Sequence, residues 1–353
     1  MEQRDYLYCQ SGVMNRRSFL KLSGLLGLGV ATTGIIPTTA EAVKFNRKMH
    51  KVSTTRIAMG TFVSMTLIHS SKDQAEEAMG MAFQEIDRLT GLMNRFDDQT
   101  AIGQLNREGL LEEIPPEVAE VIGSAHKYYR ISKGTFDISV KPVVDLFRQK
   151  MSVGKSLHLT DAELKQVLDL VGSDKIELNG RVIRFKKPGM GITLDGIAKG
   201  YIVDRASRIL MNHNIENHLI NAGGDIRTRG IRQDEKPWTV AIQDPHKKRE
   251  YPDVIHMSDA AIATSGNYEV YFDREKMFHH IVDPRTGLSP QASTSVSVMA
   301  PTTMEADALS TSVFVMNPAQ GVRFIDSLPR CECLVITNGY KMIKSSGWKS
   351  ANI

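Results

Sequence analysis

Cysteine is scarce in this chain of 353 residues, which contains only three. Cys9 falls in the N-terminal segment, and Cys331 and Cys333 are separated by a single residue. That spacing is wrong for a CxxC redox pair. The sequence therefore argues against a disulfide framework, and we interpret Cys331 and Cys333 as ordinary strand residues.

A long run of basic residues is also missing. The 44 Lys and Arg residues are interleaved with 40 Asp and Glu residues, which gives a formal net charge of +4 at pH 7. Nucleic-acid binding is therefore not predicted. The sequence has no internal repeat and no low-complexity linker, and its 41% apolar and 24% charged residues are ordinary for a globular protein. These features favour one folded domain with a sizeable core.

The sequence also lacks an apolar run long enough for a stable membrane span, since the stretch from Leu22 to Ile36 is short and contains Gly and Thr. This stretch follows the twin-arginine pattern Asn15-Arg16-Arg17-Ser18-Phe19-Leu20-Lys21 and precedes a cleavage pattern at Ala40-Glu41-Ala42. We predict that residues 1–42 are a twin-arginine signal peptide and that residues 43–353 form a periplasmic domain. Membrane association is not expected after cleavage; a retained leader that anchors the protein to the inner membrane is the alternative.

Strand and helix patterns alternate without a strict βαβ period. Helical spacing and capping residues predict helices at about 74–93, 101–105, 117–132, 143–149 and 160–170, one ending at 212, one beginning near 305, and one at 318–328. Strands are predicted at 55–69 with a break at Gly60, at 134–139, at 219–226 with a Gly-Gly kink, at 238–243 and at 261–268, and hairpins at 176–185 and 333–343. This order favours a mixed α/β (α+β) fold, a single large domain with mixed sheets and flanking helices.

One stretch, from His279 to Thr311, concentrates side chains that can do chemistry. His279, His280 and Asp283 lie around an Asp-Pro turn, and the residues just before Thr311 begin a helix, whose N-terminus would attract anions. Asp307 and Thr311 are four residues apart and share a helix face, where a carboxylate and a hydroxyl can bind Mg2+ or Ca2+. The pattern predicts a phosphate and divalent-metal site.

A glycine-rich segment from Gly191 to Tyr201 opens another helix and is a weak phosphate signal. Lys199 strengthens this signal because it can reach a phosphate, although an exposed helix lysine would have the same spacing. A histidine beside an Asp-Pro turn is either a general base or a hydrogen-bonded turn residue, and Asp307 is either a metal ligand or a helix cap. The residues alone leave these alternatives open.

Seven motifs occur in the order in which they appear in one protein family. They are Met59-Gly60-Thr61, Thr135-Phe136-Asp137, Leu194-Asp195-Gly196-Ile197-Ala198-Lys199-Gly200-Tyr201, Asn221-Ala222-Gly223-Gly224-Asp225, Ala263-Thr264-Ser265-Gly266, His280-Ile281-Val282-Asp283-Pro284-Arg285-Thr286-Gly287 and Ala306-Asp307-Ala308-Leu309-Ser310-Thr311. From about Thr55 to its C-terminus the chain resembles the ApbE family of FAD:protein FMN transferases. Its leader and length are also similar to those of the accessory flavoproteins of nitrous oxide reductase maturation, a branch of that family.

The resemblance implies a reaction. A Ser or Thr hydroxyl of a target protein attacks the FMN-side phosphate of FAD, AMP leaves, and FMN stays attached through a phosphoester, with Mg2+ required. The implied partners are FAD and an acceptor flavoprotein subunit of a respiratory or redox complex. Two alternatives stay open, a non-catalytic periplasmic FAD carrier or assembly factor and an FAD pyrophosphate hydrolase that uses water as the nucleophile.

The resemblance also implies roles for residues of this chain. His280 would be the base for the acceptor hydroxyl, Asp283 would orient it, and Lys199 would meet the phosphates. The implied metal ligands offer oxygen atoms; they are Gly196 through its backbone carbonyl, Asp307, Ser310 and Thr311. The residues implied to bind FAD are Met59, Phe96, Thr135, Phe136, Asp137, Thr193, Lys199 and Ile281.

The chain departs from the family pattern at one place. The family commonly has Asp-Leu-Gly-Gly where this chain has Thr193-Leu194-Asp195-Gly196. A hydroxyl therefore replaces an acidic FAD contact, and we expect Thr193 to keep a hydrogen bond at this position.

Overall fold

The computed structural model describes residues 49–153, 159–245, 251–267, 279 and 281–351 of the protein. The predicted leader, its cleavage site and His280 lie outside these residues, so the leader and the role of His280 stay predictions. No helix among the described residues is long and apolar enough to cross a lipid bilayer.

The described ranges contain eight α-helices, most of them close to their predicted positions. They are α1 (Lys72–Met93), α2 (Ala101–Glu108), α3 (Pro116–Ile131), α4 (Lys141–Val153), α5 (Asp161–Leu168), α6 (Ala198–Asn212), α7 (Thr303–Val315) and α8 (Pro318–Asp326). Thr160 and Glu163 form the complete capping box that their spacing predicts at the start of α5.

The strands are β1 (His50–Ala58), β2 (Thr61–His69), β3 (Leu110–Leu111), β4 (Ile176–Asn179), β5 (Val182–Phe185), β6 (Asn217–Ala222), β7 (Asp225–Arg229), β8 (Trp238–Ile242), β9 (Asp253–Met257), β10 (Ala261–Gly266), β11 (Ser293–Ala300), β12 (Glu332–Thr337) and β13 (Met342–Lys344). Eight of them form one sheet in the order β1-β2-β6-β7-β10-β11-β12-β13, while β3-β5-β4 and β8-β9 form two small sheets. Neighbouring strands in the described part pair antiparallel. The predicted α+β class is confirmed.

One face of the large sheet is covered by α1, α6 and α7. Helix α6 packs against both α1 and α7, while α7 also lies on β10 and β11. Ten of the thirteen residues of α7 are buried, so this helix is enclosed on nearly all sides. A helix in that position needs no polar face, which is why the sequence shows its start but no amphipathic stripe.

The opposite face of the large sheet is covered by the β8–β9 hairpin and the C-terminal segment. Ile226 and Ile262 of the sheet pack there with Val240, Ile255 and Trp348. The C-terminal segment is held by Asp253, whose Oδ2 accepts hydrogen bonds from Trp348 Nε1 and from Ser350 Oγ, both at 2.9 Å.

Three strand predictions were wrong in their details. Residues 55–69 and 219–226 are each two strands joined by a two-residue turn, not one interrupted strand, and residues 134–139 hold no strand but lead into a 3-10 turn at Ile138–Val140. Both turns need positive φ at each position, and Met59 has φ of 52° and Gly60 of 70°. Met rarely adopts the left-handed region, so Met59-Gly60 does not predict a hairpin turn from the sequence, whereas Asn179-Gly180 does.

The two hairpin turns lie side by side at one end of the sheet. The Gly223 amide donates to the Phe62 carbonyl at 3.2 Å, and a Cβ atom on Gly223 would lie 2.5 Å from Thr61 Oγ1. Since β7 and β10 run antiparallel, β10 also ends here, at Gly266. The fold therefore gathers the Met59, Gly223-Gly224 and Ser265-Gly266 motifs at one end of the sheet.

Candidate functional site

The candidate site is built where α6 and α7 cross. The Gly200 amide in the first turn of α6 donates to Asp307 Oδ2 at 3.0 Å. A Cβ on Gly200 would lie 2.4 Å from the Thr303 carbonyl oxygen, so only glycine allows the two backbones to approach this closely. In return, Asp204 of α6 accepts from the amides of Thr303 and Met304 at 2.9 Å each.

These contacts change one expectation about α7. Its N-terminus does attract an anion, but this anion is the carboxylate of Asp204, which binds the first two amides, while Thr302 Oγ1 accepts from the Glu305 amide at 3.2 Å. The predicted phosphate contact at this N-terminus is therefore wrong, because protein side chains already occupy the donors. The chemistry-bearing residues lie instead in the middle of the helix, one and two turns later.

The four residues predicted to bind the metal lie together. A Cβ on Gly196 would lie 2.9 Å from Thr311 Oγ1. Ser310 Oγ donates to the Asp307 carbonyl oxygen at 2.9 Å. Ser265 Oγ is 2.8 Å from Ser310 Oγ and 3.2 Å from Thr311 Oγ1. Ser265, which lies in one of the motifs but received no role from the sequence, therefore connects the hydroxyls of Ser310 and Thr311.

The charges at this cluster favour a cation. Burial, and then the nearby Asp225 carboxylate, raise the pKa of Asp307 well above its usual range, while Lys199 lowers it. Lys199 Nζ lies 3.1 Å from Asp225 Oδ2. With Asp225 and Asp307 both ionised, two carboxylates face one ammonium, which leaves negative charge in a buried place. Carboxylate, hydroxyl and carbonyl oxygens with excess negative charge are a donor set that fits Mg2+.

Asp225 is the main residue whose contact sequence reasoning missed. It belongs to the quoted Gly-Gly motif, but nothing local shows that its carboxylate pairs with Lys199. The pair also modifies the prediction for Lys199. This residue is not a fully exposed helix lysine, and its ammonium pairs with a carboxylate in addition to the phosphate contact that was predicted for it. Its side chain is 29% exposed, and Asp225 fixes its direction.

Phe96 forms an exposed aromatic platform. Its relative exposure is 66%, and the guanidinium carbons of Arg95 and Arg148 lie 4.4 and 4.8 Å from the centre of its ring. Arg95 Nη2 is also 3.0 Å from Asp195 Oδ2, next to Gly196. An exposed ring with two neighbouring guanidinium groups can stack with a planar ligand. Arg95 therefore links this platform to the loop that carries the predicted metal ligand.

Within the Thr135-Phe136-Asp137 motif, Phe136 lies at the candidate site, whereas Thr135 and Asp137 form hydrogen bonds within the core. Phe136 Cε2 would lie 3.4 Å from a Cβ on Gly196, which places its ring at the cluster. Thr135 is buried, and its Oγ1 donates to the Ser132 carbonyl at 3.2 Å. Asp137 accepts hydrogen bonds from Ser139 and Ser173, through both the amide and the hydroxyl of each. These bonds give Asp137 a structural role in joining two segments, and burial raises its pKa.

Thr193 is buried and forms hydrogen bonds within the chain. Its amide donates to the Ile138 carbonyl at 2.8 Å, and its Oγ1 accepts from the Asp195 amide at 3.3 Å. The hydroxyl thus shapes the loop before Gly196. Met59 occupies the hairpin turn next to the Gly223-Gly224 turn, with a half-buried side chain that packs on the main core.

The histidine segment is described only in part, because His280 lies outside the described residues. His279 is buried, its ring meets Phe314 edge to face at 5.5 Å, and its Nε2 lies 3.1 Å from the Pro290 carbonyl oxygen. This environment fits a structural histidine. Ile281 is also buried, so the residues on both sides of His280 are anchored in the protein.

Asp283 lies in the turn that follows this segment. Its carboxylate accepts from Arg285 Nε at 2.8 Å and from Arg285 Nη2 at 2.7 Å. The guanidinium of Arg285 therefore holds the Asp283 carboxylate in one orientation. If Asp283 also contacts His280 as predicted, its carboxylate has both residues as partners. The roles of both residues stay predictions.

Comparison with known proteins gives consistent matches. The family model described as "ApbE family" matches residues 59–335. A Haemophilus influenzae protein named FAD:protein FMN transferase is 29% identical over 292 residues, which are 80% of this chain and 84% of that protein. The structure titled flavin transferase ApbE from Vibrio cholerae has a TM-score of 0.75 at 25% identity and covers 84% of this chain and 98% of its own. An ApbE protein from Thermotoga maritima has the same TM-score at 27% identity, covering 84% and 97%.

Proposed function

The chain belongs to the ApbE family, and on that premise we propose that it is an FAD:protein FMN transferase. The observation that carries the proposal is the cluster of Gly196, Asp307 and Thr311 beside the ion pair of Lys199 with Asp225. Carboxylate, hydroxyl and carbonyl oxygens close to an ammonium support the proposal, because the cleavage of a pyrophosphate depends on charge neutralisation and positioning.

The reaction follows from this arrangement. An acceptor Ser or Thr oxygen attacks the FMN-side phosphorus of FAD, the bond to the bridging oxygen breaks, and AMP leaves. We propose that Asp307, Thr311 and the Gly196 carbonyl hold Mg2+, with Ser310 as a further contributor. When bound, the ion neutralises charge on the phosphate oxygens. Lys199, oriented by Asp225, binds the same phosphates.

We propose that His280 takes the proton of the acceptor hydroxyl and that Asp283 helps to orient it. Two observations support this assignment. His279 is buried against Phe314 and bonded to a backbone carbonyl, which leaves the neighbouring histidine for chemistry. Asp283 is held in place by Arg285.

The transferase is tested with the purified full chain, FAD, Mg2+ and a candidate acceptor domain. We expect acid-stable flavin fluorescence on the acceptor in a denaturing gel, release of AMP in equal amount, and loss of both after addition of EDTA. AMP and FMN released without a labelled acceptor would favour the hydrolase. FAD binding without any AMP release would favour the carrier. We propose a flavoprotein subunit of a respiratory or redox complex as the acceptor, because such subunits carry bound flavin.

Phe96 is proposed to stack on a ring system of FAD. Replacing Phe96 by Ala should raise the KM for FAD about 10-fold, since a stacked ring contributes about 1–3 kcal/mol, and should change kcat little. Steady-state transfer kinetics measure both constants. Tyr251, a 52% exposed aromatic residue at the β8–β9 hairpin, provides the matched control. An unchanged KM in Phe96→Ala, or an equal rise in Tyr251→Ala, contradicts the assignment.

The twin-arginine pattern supports export to the periplasm as a proposal. Fractionation of cells that express the full chain should recover it in the periplasm. Replacing both Arg16 and Arg17 by Lys should retain it in the cytoplasm, whereas Arg4→Lys, outside the pattern, should leave export unchanged. Periplasmic recovery of the double variant at the normal level contradicts this route.

A further inference from the structure

We propose that Asp204 is a positioning residue for the divalent-cation site: by holding α7 in register with α6, its carboxylate sets the place of Asp307 and Thr311 relative to Gly196. This inference rests on the proposed function, because that function supplies the cation. Asp204 is absent from the predicted site and touches none of the reacting groups.

The contacts of Asp204 are specific to both of its oxygens. Oδ1 accepts from the Thr303 amide and Oδ2 from the Met304 amide, each at 2.9 Å. These are the first two amides of α7, and neither has an acceptor within its own helix. Arg227 completes the contact, since its Nη1 lies 3.9 Å from Asp204 Oδ1 and donates to the carbonyl of Pro301, just before α7.

The same two helices meet a second time one turn away. Gly200 precedes Asp204 by four residues, Asp307 follows Thr303 by four, and the Gly200 amide donates to Asp307 Oδ2 at 3.0 Å. Each helix therefore gives a carboxylate to the first-turn amides of the other, at two points about 6 Å apart along the axes. Two fixed points prevent α7 from sliding or rotating on α6.

A neutral side chain cannot reproduce this contact. The two amides donate to separate oxygens of Asp204, whereas asparagine offers one oxygen and one amide nitrogen, which would face an N–H donor. Alanine offers neither. The local cap at Thr302 and the close packing of Gly200 on Thr303 remain in both variants, so α7 should still form. The expected consequence is a displaced set of metal ligands.

The test compares Asp204→Ala and Asp204→Asn with Asp253→Ala in the full chain. Asp253 is a matched control, because its buried carboxylate also holds several donors, among them Trp348 Nε1 and Ser350 Oγ, but lies on the opposite face of the sheet. Calorimetric titration with Mn2+ or Mg2+, without FAD or acceptor, gives the Kd of the ion, and thermal unfolding gives Tm. The Mg2+ concentration for half-maximal FMN transfer is measured separately.

We expect the Kd of the ion to rise about 10- to 100-fold in Asp204→Ala, the usual range for residues that orient metal ligands, and less in Asp204→Asn. Excess Mg2+ should restore much of the transfer rate. Asp253→Ala should lower Tm and leave the Kd unchanged. If Asp204→Ala does not fold, the same comparison with Asp204→Asn decides.

Two results would overturn the inference. The first is a normal Kd of the ion in the Asp204 variants, with a fall in Tm like that of Asp253→Ala. The second is a wild-type chain that binds no divalent cation. A different result would count against the transferase alone. If the ion binds, the Asp204 variants weaken it, and no acceptor is ever labelled, then the positioning role stands and the proposed function fails.

Discussion

Replacing Asp307 by Asn should abolish FMN transfer, with a fall in kcat/KM of at least ~1000-fold. Charge neutralisation by a bound metal contributes several kcal/mol, and about 1.4 kcal/mol corresponds to each factor of ten in rate. Asn keeps the shape of the side chain and an oxygen that can accept from the Gly200 amide, but it lacks the charge. The rate is measured as flavin fluorescence on the acceptor at saturating Mg2+.

This variant separates chemistry from folding. Burial raises the pKa of Asp307, which means that the ionised form is disfavoured in the folded protein without metal. A neutral Asn removes this penalty, so the Tm without Mg2+ should be at least as high as that of the wild type. The stabilisation that Mg2+ gives the wild type should disappear.

Glu305→Gln is the matched control for Asp307→Asn. It removes a carboxylate from the same helix, but Glu305 is partly exposed and its nearest cation is Lys127 at 3.9 Å. We expect normal transfer from Glu305→Gln. Transfer by Asp307→Asn within tenfold of the wild type would show that the cation is bound elsewhere.

Replacing Gly200 by Ala should damage both stability and transfer. The added Cβ would lie 2.4 Å from the Thr303 oxygen, 2.6 Å from its carbonyl carbon and 2.8 Å from Met304 Cα. All three are backbone atoms, so no side chain can rotate away and the helices must separate. Overpacking of this kind destabilises by about 1–3 kcal/mol, sometimes more. A displacement near 1 Å costs about 100-fold in rate, and we expect a loss of transfer of that size.

Gly123→Ala controls for the intrinsic effect of the substitution. Gly123 lies within α3, and an added Cβ would meet nothing within 4 Å. Ala favours helix over Gly by up to about 1 kcal/mol, so Gly123→Ala should raise Tm and leave transfer unchanged. If the close approach of α6 and α7 matters, the change in Tm has opposite signs in the two variants: Gly200→Ala lowers Tm and Gly123→Ala raises it. Transfer assays should show a loss in Gly200→Ala only. A wild-type Tm and rate for Gly200→Ala would contradict this reading.

The sequence by itself determined the features that depend on neighbours along the chain. The capping box at Thr160, the Asn179-Gly180 hairpin turn and the four-residue spacing of Asp307 and Thr311 are local patterns, and the structure contains them. The ordered motifs also identified the family, because together they sample most of the chain.

Only the tertiary structure decided which of these local features meet. Gly200 and Asp307 are 107 residues apart, and Asp204 and Thr303 are 99 apart, so no periodicity or spacing links them. The same holds for Lys199 and Asp225, whose pairing depends on how α6 lies over β7. Local patterns decide which residues share a helix face or form a turn. The burial of one helix against another decides which carboxylate meets which amide, and that contact brings the metal ligands together.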